Sequence, residues 1–255
     1  MTEPLVERLK VHRRTLVLDR LDYTVLSPRP DIAQRFATNL FHDTWHVITS
    51  EAGGRFLGRI LWAMAFQRRP RTIFVVDVPF IDPNPFDADP SSPIVIVNND
   101  LGPLGRDAAG ALIKLLPLRR PSEGTVTLQT RGLDRAMDDI KGFRKREREA
   151  WPSDHQQRRW IDGENEVVVL AGPPPVLREW AVDVSSLGQF WYEGQSSEFL
   201  DYSGSRSGEV QILEAFSEKV QSAISERRRL FPAAGNSKLP EVDRRRIWSA
   251  GSEPQ

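Results

Sequence analysis

HVITSEAGGRFLGRILWAMAFQRRPRTIFVVD, residues His46 to Asp77, passes from a short apolar segment through a glycine-rich turn and an amphipathic stretch to a second apolar segment that ends on an acidic residue. His46 to Thr49 has the composition of a short strand. Phe56, Ile60 and Met64, with Leu57 and Leu61 beside them, make one apolar helical face, and Pro70 stops that helix. TIFVV from Thr72 reads as a buried strand. Strand, glycine turn, helix and strand make a βαβ unit, and the question it raises is whether its turn holds a phosphate.

The pattern continues outward. Thr15 to Leu26 is a strand pair or one long bent strand, ended by Pro28 and Pro30. Asp31 then predicts a capped helix with Ile32, Phe36 and Leu40 recurring every four residues. After Asp77 comes PFIDPNPFDADPSSP, a structured loop with five prolines and three aspartates. IVIV, Ile94 to Val97, is a second buried strand, and the segment after its glycine turn reads as a helix to Leu116. TVTLQT, Thr125 to Thr130, is a third strand, and Leu133 to about Arg148 a charged helix.

After Trp151 an Asp-Gly turn, a valine run and alternation at Trp180, Val182 and Val184 predict antiparallel hairpins. A last helix is expected from about Gly208 to Leu230, with Ser207 as its cap and Val210, Leu213, Phe216, Val220 and Ile224 on one face. The expected fold is α/β, with a mostly parallel central sheet flanked by helices and an antiparallel extension in the C-terminal half. Residues 1–231 are read as one domain, a βαβ-like half over 1–150 followed by antiparallel strands and the final helix over 151–231. Residues 232–255, rich in Gly, Ser, Pro and charge, are read as a disordered tail.

Composition narrows the chemistry. Cysteine is absent, which removes disulfides, thiolate metal sites and a cysteine nucleophile. Thirty-five basic side chains balance 35 acidic ones, so net charge gives no reason to expect a polyanionic partner. No apolar run approaches the roughly 20 residues of a membrane helix, and the charged MTEPLVERLKVHRR start lacks a signal-peptide core. A soluble, cytoplasmic protein is the expectation.

The glycine turn carries the functional expectation. Free backbone N–H groups and the positive dipole end at a helix start attract phosphate, and glycines let the backbone approach it. Gly53, Gly54 and Gly58 would supply that turn, and Asp77 stands where an acidic residue contacts ribose hydroxyls. TSEAGGRFLGRIL resembles the T-G-x-x-G-x-x-G turn of extended short-chain dehydrogenases over about thirty residues. It departs from that pattern at Ser50, which replaces the first glycine, and in its longer spacing. That family's Tyr-x-x-x-Lys is missing too, because Tyr202 is followed at that distance by Arg206. A second junction, NNDLGPLGRDAAG, offers Asn99 and Asp100 at a strand end, Gly102 and Gly105 for an anion-binding turn, and Arg106 as counter-charge. The same residue types also serve any turn.

Other motifs are weaker. Asp77, Asp82, Asp87 and Asp89 are candidate magnesium ligands, although the favoured reading of that loop is a solvated acidic one. VVD resembles the strand-end aspartate of P-loop nucleotide hydrolases, but no G-K-[ST] occurs. DAD, Asp87 to Asp89, resembles the metal-binding dipeptide of glycosyltransferases. HDTWH places His42 and His46 one turn apart if helical, a spacing that holds zinc when a third ligand joins. Lys141, Arg144, Lys145, Arg146, Arg148, Arg158 and Arg159 interleave with Trp151 and Trp160, a pattern usable for nucleic acid, and RRRLF and DRRRIW near the end repeat it.

The sequence therefore leads to binding of a nucleotide or other phosphorylated small molecule at the strand carboxyl ends, with a magnesium ion as a candidate partner. Transfer or hydrolysis at a phosphate or glycosidic bond is the chemistry such a site would run. The alternative is a non-catalytic protein that holds nucleic acid or a protein partner through residues 141–160.

Overall fold

The computed structural model describes residues 8–151, 160–162, 167–188, 194–201, 207–233, 235 and 237–252. Two mixed sheets and seven α-helices make an α/β fold among these residues. The larger sheet has seven strands in the order β7-β1-β2-β5-β6-β9-β8: β7 (Gly124–Gln129), β1 (Arg8–Leu18), β2 (Leu21–Ser27), β5 (Thr72–Val76), β6 (Ile94–Asn98), β9 (Val168–Gly172) and β8 (Trp160–Asp162). The smaller has the order β10 (Gln195–Asp201), β11 (Ser207–Leu213), β4 (Thr44–Thr49) and β3 (Phe36–Phe41).

The expected mostly parallel sheet is not what forms. In the seven-stranded sheet only β2–β5 and β6–β9 pair in parallel, and β1–β2, β1–β7, β5–β6 and β8–β9 are antiparallel. The physical reason lies in the connections. A parallel return needs a crossover that is usually helical, and the proline-rich loop from Asp77 to Pro93 carries only a 3-10 turn at Val78–Phe80. Its prolines lack the N–H groups that would extend a helix or a ladder. β1 and β2 are instead joined by Asp19 and Arg20, both with positive φ, the two-residue turn that suits a right-twisted hairpin.

Helices α1 (Glu51–Ala65) and α5 (Pro174–Ser186) form a layer between the two sheets. Phe56, Leu57, Ile60, Leu61 and Trp180 pack there against Phe74, Val76, Ile94 and Ile96 of the larger sheet and Trp45, Val47, Val210 and Ile212 of the smaller. Helix α2 (Arg106–Ile113) covers the far face of the larger sheet through Ala108, Ala109 and Leu112. With both faces covered, β5 and β6 are buried throughout, which explains their unbroken apolar sequences. Helices α6 (Phe216–Leu230) and α7 (Glu241–Ser252) lie beyond the outer face of the smaller sheet.

Five further expectations change. Phe36 to Phe41 is a strand, not part of a helix, because its partner β4 returns through His42 and Asp43, both with positive φ. The charged helix from Leu133 is two, α3 (Leu133–Asp138) and α4 (Ile140–Ala150), broken at Asp139, whose side chain caps the second by accepting from the Gly142 N–H at 2.9 Å. Trp180, Val182 and Val184 lie in helix α5, which is buried on nearly every side and so shows no polar stripe. Val210 and Leu213 belong to β11, and the last long helix begins only at Phe216. Past Pro232, where composition suggests no structure, the chain forms α7 and buries Ile247 against Ala88 and Ala223. The Asp-Gly turn reaches Gly163, outside the described residues, as do Arg158, Arg159, Tyr202 and Arg206.

Candidate functional site

The two glycine junctions do not meet. β4 and β6 belong to different sheets, and β5 runs antiparallel to β6, with Ile73 opposite Val97 and Val76 opposite Ile94. Asp77 and Asp100 therefore leave opposite ends of that strand pair, about 15 Å apart at the usual rise per residue. Helix α1 repeats the separation. The Asn98 side chain donates to the Met64 carbonyl near its C-terminal end, while Gly53 and Gly54 sit in its first turn.

At the first junction the protein supplies its own partners. Ser50 caps α1 by accepting from the Gly53 N–H at 3.2 Å, and Glu51 pairs with Arg55. A Cβ on Gly53 would strike the Thr49 side chain, one on Gly54 the end of Ile212, and one on Gly58 the Ser185 hydroxyl and the Ala181 carbonyl. These glycines let α1 approach β4, β11 and α5. Buried Asp77 accepts from the Val78 and Leu118 N–H groups at 2.7 and 2.6 Å.

At the second junction the Asn98 side chain accepts from the Asp100 N–H, and Gly102 takes a φ of 115° that L side chains rarely adopt. The Asn99 Oδ1 is buried without a hydrogen-bond partner among the described residues. Gly105 opens α2 with no side-chain cap, and Arg106 lines a shallow groove with Asp19, Asp107 and Lys114. The four aspartates do not converge as a metal set. Asp82 is held by Arg35 at 2.7 Å and Asp89 by Arg227 at 2.6 Å, and no group of three acidic or histidine side chains suited to a metal occurs among the described residues. Asp87 and Asp89 are also buried, which corrects the picture of a solvated loop.

The basic segment is largely spoken for. Arg144 pairs with Asp183 at 2.6 Å, Arg146 with Asp139 and Lys145 with Glu149. Glu147 holds buried Arg178, whose guanidinium also lies over the Phe66 and Trp151 rings.

A small-molecule-sized cavity lies elsewhere, between the outer face of the four-stranded sheet and helices α6 and α7. It encloses about 740 Å³, within the range of small-molecule sites. Its floor comes from the polar face of the strands, where Asn39, His46 and Gln211 line it. In register, Glu209 of β11 stands beside His46 of β4 at the edge of that floor, with Asn39 of β3 on the other side. The opposite face of the same strands carries Trp45, Val47, Val210 and Ile212 into the core. The His46 Nδ1 lies 3.0 Å from Glu209 Oε2, with side chains only 12% and 8% exposed. Burial opposes ionisation of Glu209, but hydrogen bonds from His46, Ser197 and Gln211 more than offset it and hold its pKa below the usual glutamate value. An ionised carboxylate only accepts, so the Nδ1 that faces it carries a proton. His46 Nε2 is buried and without a hydrogen-bond partner among the described residues. Such a group costs about 1–3 kcal/mol.

The walls are aromatic and charged. Phe41, 38% exposed, stacks on His42 with ring centroids 4.0 Å apart, and Trp248, 48% exposed, meets Phe41 edge-on and Phe86 at 5.5 Å. Lys219 of α6 faces the same space, with no ion pair among the described residues. His42 and His46 thus share a cleft, as a hairpin turn and its following strand instead of a helical pair. The roof is pinned by Arg227, buried in α6, which donates to Asp89 and to the carbonyls of Gly235 and Ser237 on the way to α7. Asp89 also accepts from the Leu239 N–H. Arg244 approaches Asp87 and Asp89 at 3.9 and 3.8 Å. Burial pushes the Asp87 carboxyl up to about 6, against the pull of Arg244 and Arg227.

Sequence reasoning found His46, and Trp248 as part of DRRRIW, but missed Glu209 and Lys219. The available signal was the polar-apolar alternation of GEVQIL, Gly208 to Leu213, which marks a strand with a polar face. Comparison with protein-family models, with curated proteins and with solved structures finds no match to this chain. No helix among the described residues is long and apolar enough to cross a membrane.

Proposed function

We propose that the protein binds a nucleotide or another phosphorylated aromatic small molecule, and that it does so in the cleft over the four-stranded sheet. The supporting observation is that one small-molecule-sized space combines an aromatic wall, Phe41, Phe86 and Trp248, with Lys219, which has no ion pair among the described residues. Aromatic faces accept the flat base, and a lysine serves phosphate as a point charge. Asn39, Gln195 and Gln211 add amides that read ring edges or hydroxyls.

Thermal unfolding with AMP, adenosine and ribose 5-phosphate tests this, since a ligand of the native state raises the melting temperature with concentration. AMP is expected to exceed either fragment. Trp248→Ala should remove the base contribution and Lys219→Ala the phosphate contribution, whereas Asp77→Asn should leave the response intact. No response to AMP, or a response that Asp77→Asn abolishes, overturns the assignment. Stabilisation by an oligonucleotide alone, falling steeply with salt, would instead support residues 141–160 as the working surface.

A further inference from the structure

We infer that α7 is a hinged roof that closes on the ligand, that the Asp87–Asp89 turn is its latch, and that acid tightens this latch. The inference rests on the binding proposal above. Five residues of α7, Glu241, Arg244, Arg245, Ile247 and Trp248, line the cleft, so the roof is part of the site. Its hold on the body is narrow. Ile247 is the one buried α7 side chain among the described residues, and it packs on Ala88 and Ala223 in a cluster separate from the main core. Polar contacts add to it: Asp89 accepts from Arg227 and from the Leu239 N–H, and Arg227 fastens the Gly235 and Ser237 carbonyls of the lead-in segment. Gly235 takes a φ of 51° there, a backbone freedom suited to a hinge.

The latch is unevenly paired. Asp89 meets Arg227 at 2.6 Å, whereas the Asp87 carboxyl, also buried, receives no hydrogen bond from a cation among the described residues. Its Oδ1 accepts from the Asp89 N–H at 2.9 Å, and its Oδ2 lies 3.9 Å from Arg244 Nη1. A buried carboxyl so lightly paired is more stable neutral than ionised. Asp87 lines the cleft beside Arg244 of α7, so lifting the roof returns it to water. Closed, its pKa stands at about 6, net of the pull of Arg244 and Arg227; open, it falls toward the usual aspartate value of about 3.9. The closed form therefore keeps a proton that the open form releases. From about pH 4 to about pH 6 each unit favours opening by up to about tenfold, roughly 100-fold in all, and above that the effect levels off. The other charged or titratable groups nearby are Asp89 on the same turn, Arg227 and Lys219 on α6, Glu241, Arg244 and Arg245 on α7, and His42 and His46 across the cleft. Opening takes Trp248 away from Phe41 and Phe86, so ligand is held in acid and released as pH rises.

The chain contains no cysteine, so a single added thiol reports the opening. Ala223→Cys places it on α6 under Ile247, where dithiodipyridine reaches it once α7 lifts. Its labelling rate, divided by that of free cysteine at each pH, should rise about 100-fold from about pH 4 to about pH 7 and then level off. Asp87→Asn added to this variant should hold the rate at its acid value, and excess AMP should slow labelling at every pH. Ile96→Cys, in the main core, should react at least about tenfold more slowly, because local opening costs less than global unfolding. Ile247→Cys serves where Ala223→Cys does not fold, with the same profile expected. With AMP bound by thermal shift, a flat profile, a rise that Asp87→Asn leaves in place, labelling of Ile96→Cys at an equal rate, or labelling that AMP does not slow overturns the inference while the binding proposal stands. No thermal shift by AMP overturns both.

Discussion

At the start of α1 the protein fills its own turn: Thr49, Ile212 and Ser185 occupy the space beside Gly53, Gly54 and Gly58, and Ser50 takes up a free N–H of the helix. Across the four-stranded sheet the relation is reversed. Among the described residues His46 Nε2 is left without a partner and Lys219 without an acid, and Trp248 and Phe41 are partly exposed. Both regions contain residues that chemistry uses. Buried polar groups in folded proteins are nearly all satisfied, so a cleft that sets the unsatisfied His46 Nε2 beside open aromatic rings and a lysine is where a ligand has something to contribute. A region that closes on itself is explained by packing. The difference teaches that a glycine turn is read properly only with its neighbours in place.

The largest effect should come from the roof of the cleft. Asp89→Ala leaves Arg227 buried without its carboxylate and frees the Leu239 N–H. Breaking one side of a buried pair costs about 3–5 kcal/mol. Denaturant unfolding should show a loss of that size, and hydrogen exchange should show α7 amides losing protection before those of β5 and β6. Equal loss of protection in both would mean that α7 is part of the core and not a separately fastened roof.

Asp87 should act in the opposite direction. Its carboxyl, raised to about 6, holds its proton more tightly in the folded chain than in the unfolded one, where an aspartate titrates near about 3.9. Stability is therefore lost as pH rises from about 4 through about 6, and stays lower above. Asp87→Asn removes the ionisation and keeps an oxygen to accept from the Asp89 N–H. The variant should be more stable than wild type at pH 8, by up to about 3 kcal/mol, with the difference gone near pH 4. Urea midpoints across that range measure it, and a variant no more stable at pH 8 would show Asp87 to be a well-paired anion.

Much of the fold was legible where local pattern and burial agree. TIFVV and IVIV had to be buried strands, and the Phe56–Ile60–Met64 stripe marked α1. Strand direction was not legible, because it depends on whether the Asp77–Pro93 loop crosses over or turns back. Phe36 and Leu40 lie four apart, which fits a helix face as well as one side of a strand, and only pairing with β4 decides. The site was half legible. His46 stood out as a residue type, but Glu209 reaches it only through the parallel pairing of β4 with β11, two segments far apart in the chain. No spacing rule carries that contact.

The smallest effects sharpen the comparison most directly, because one substitution should change sign between two glycines. On Gly58 an alanine Cβ would sit 2.7 Å from the Ala181 carbonyl and against the Ser185 hydroxyl, so α1 and α5 must move apart. Overpacking of this kind costs about 1–3 kcal/mol and outweighs the gain of about 1 kcal/mol in helix propensity. On Gly110, within α2, the added Cβ meets nothing within 4 Å, so the propensity term stands alone. Gly110→Ala should stabilise by about 0.5–1 kcal/mol while Gly58→Ala destabilises, both read from chemical denaturation. If Gly58→Ala were as mild as Gly110→Ala, the contact of α1 with α5 would hold spare room, and packing would no longer account for the glycine at that position.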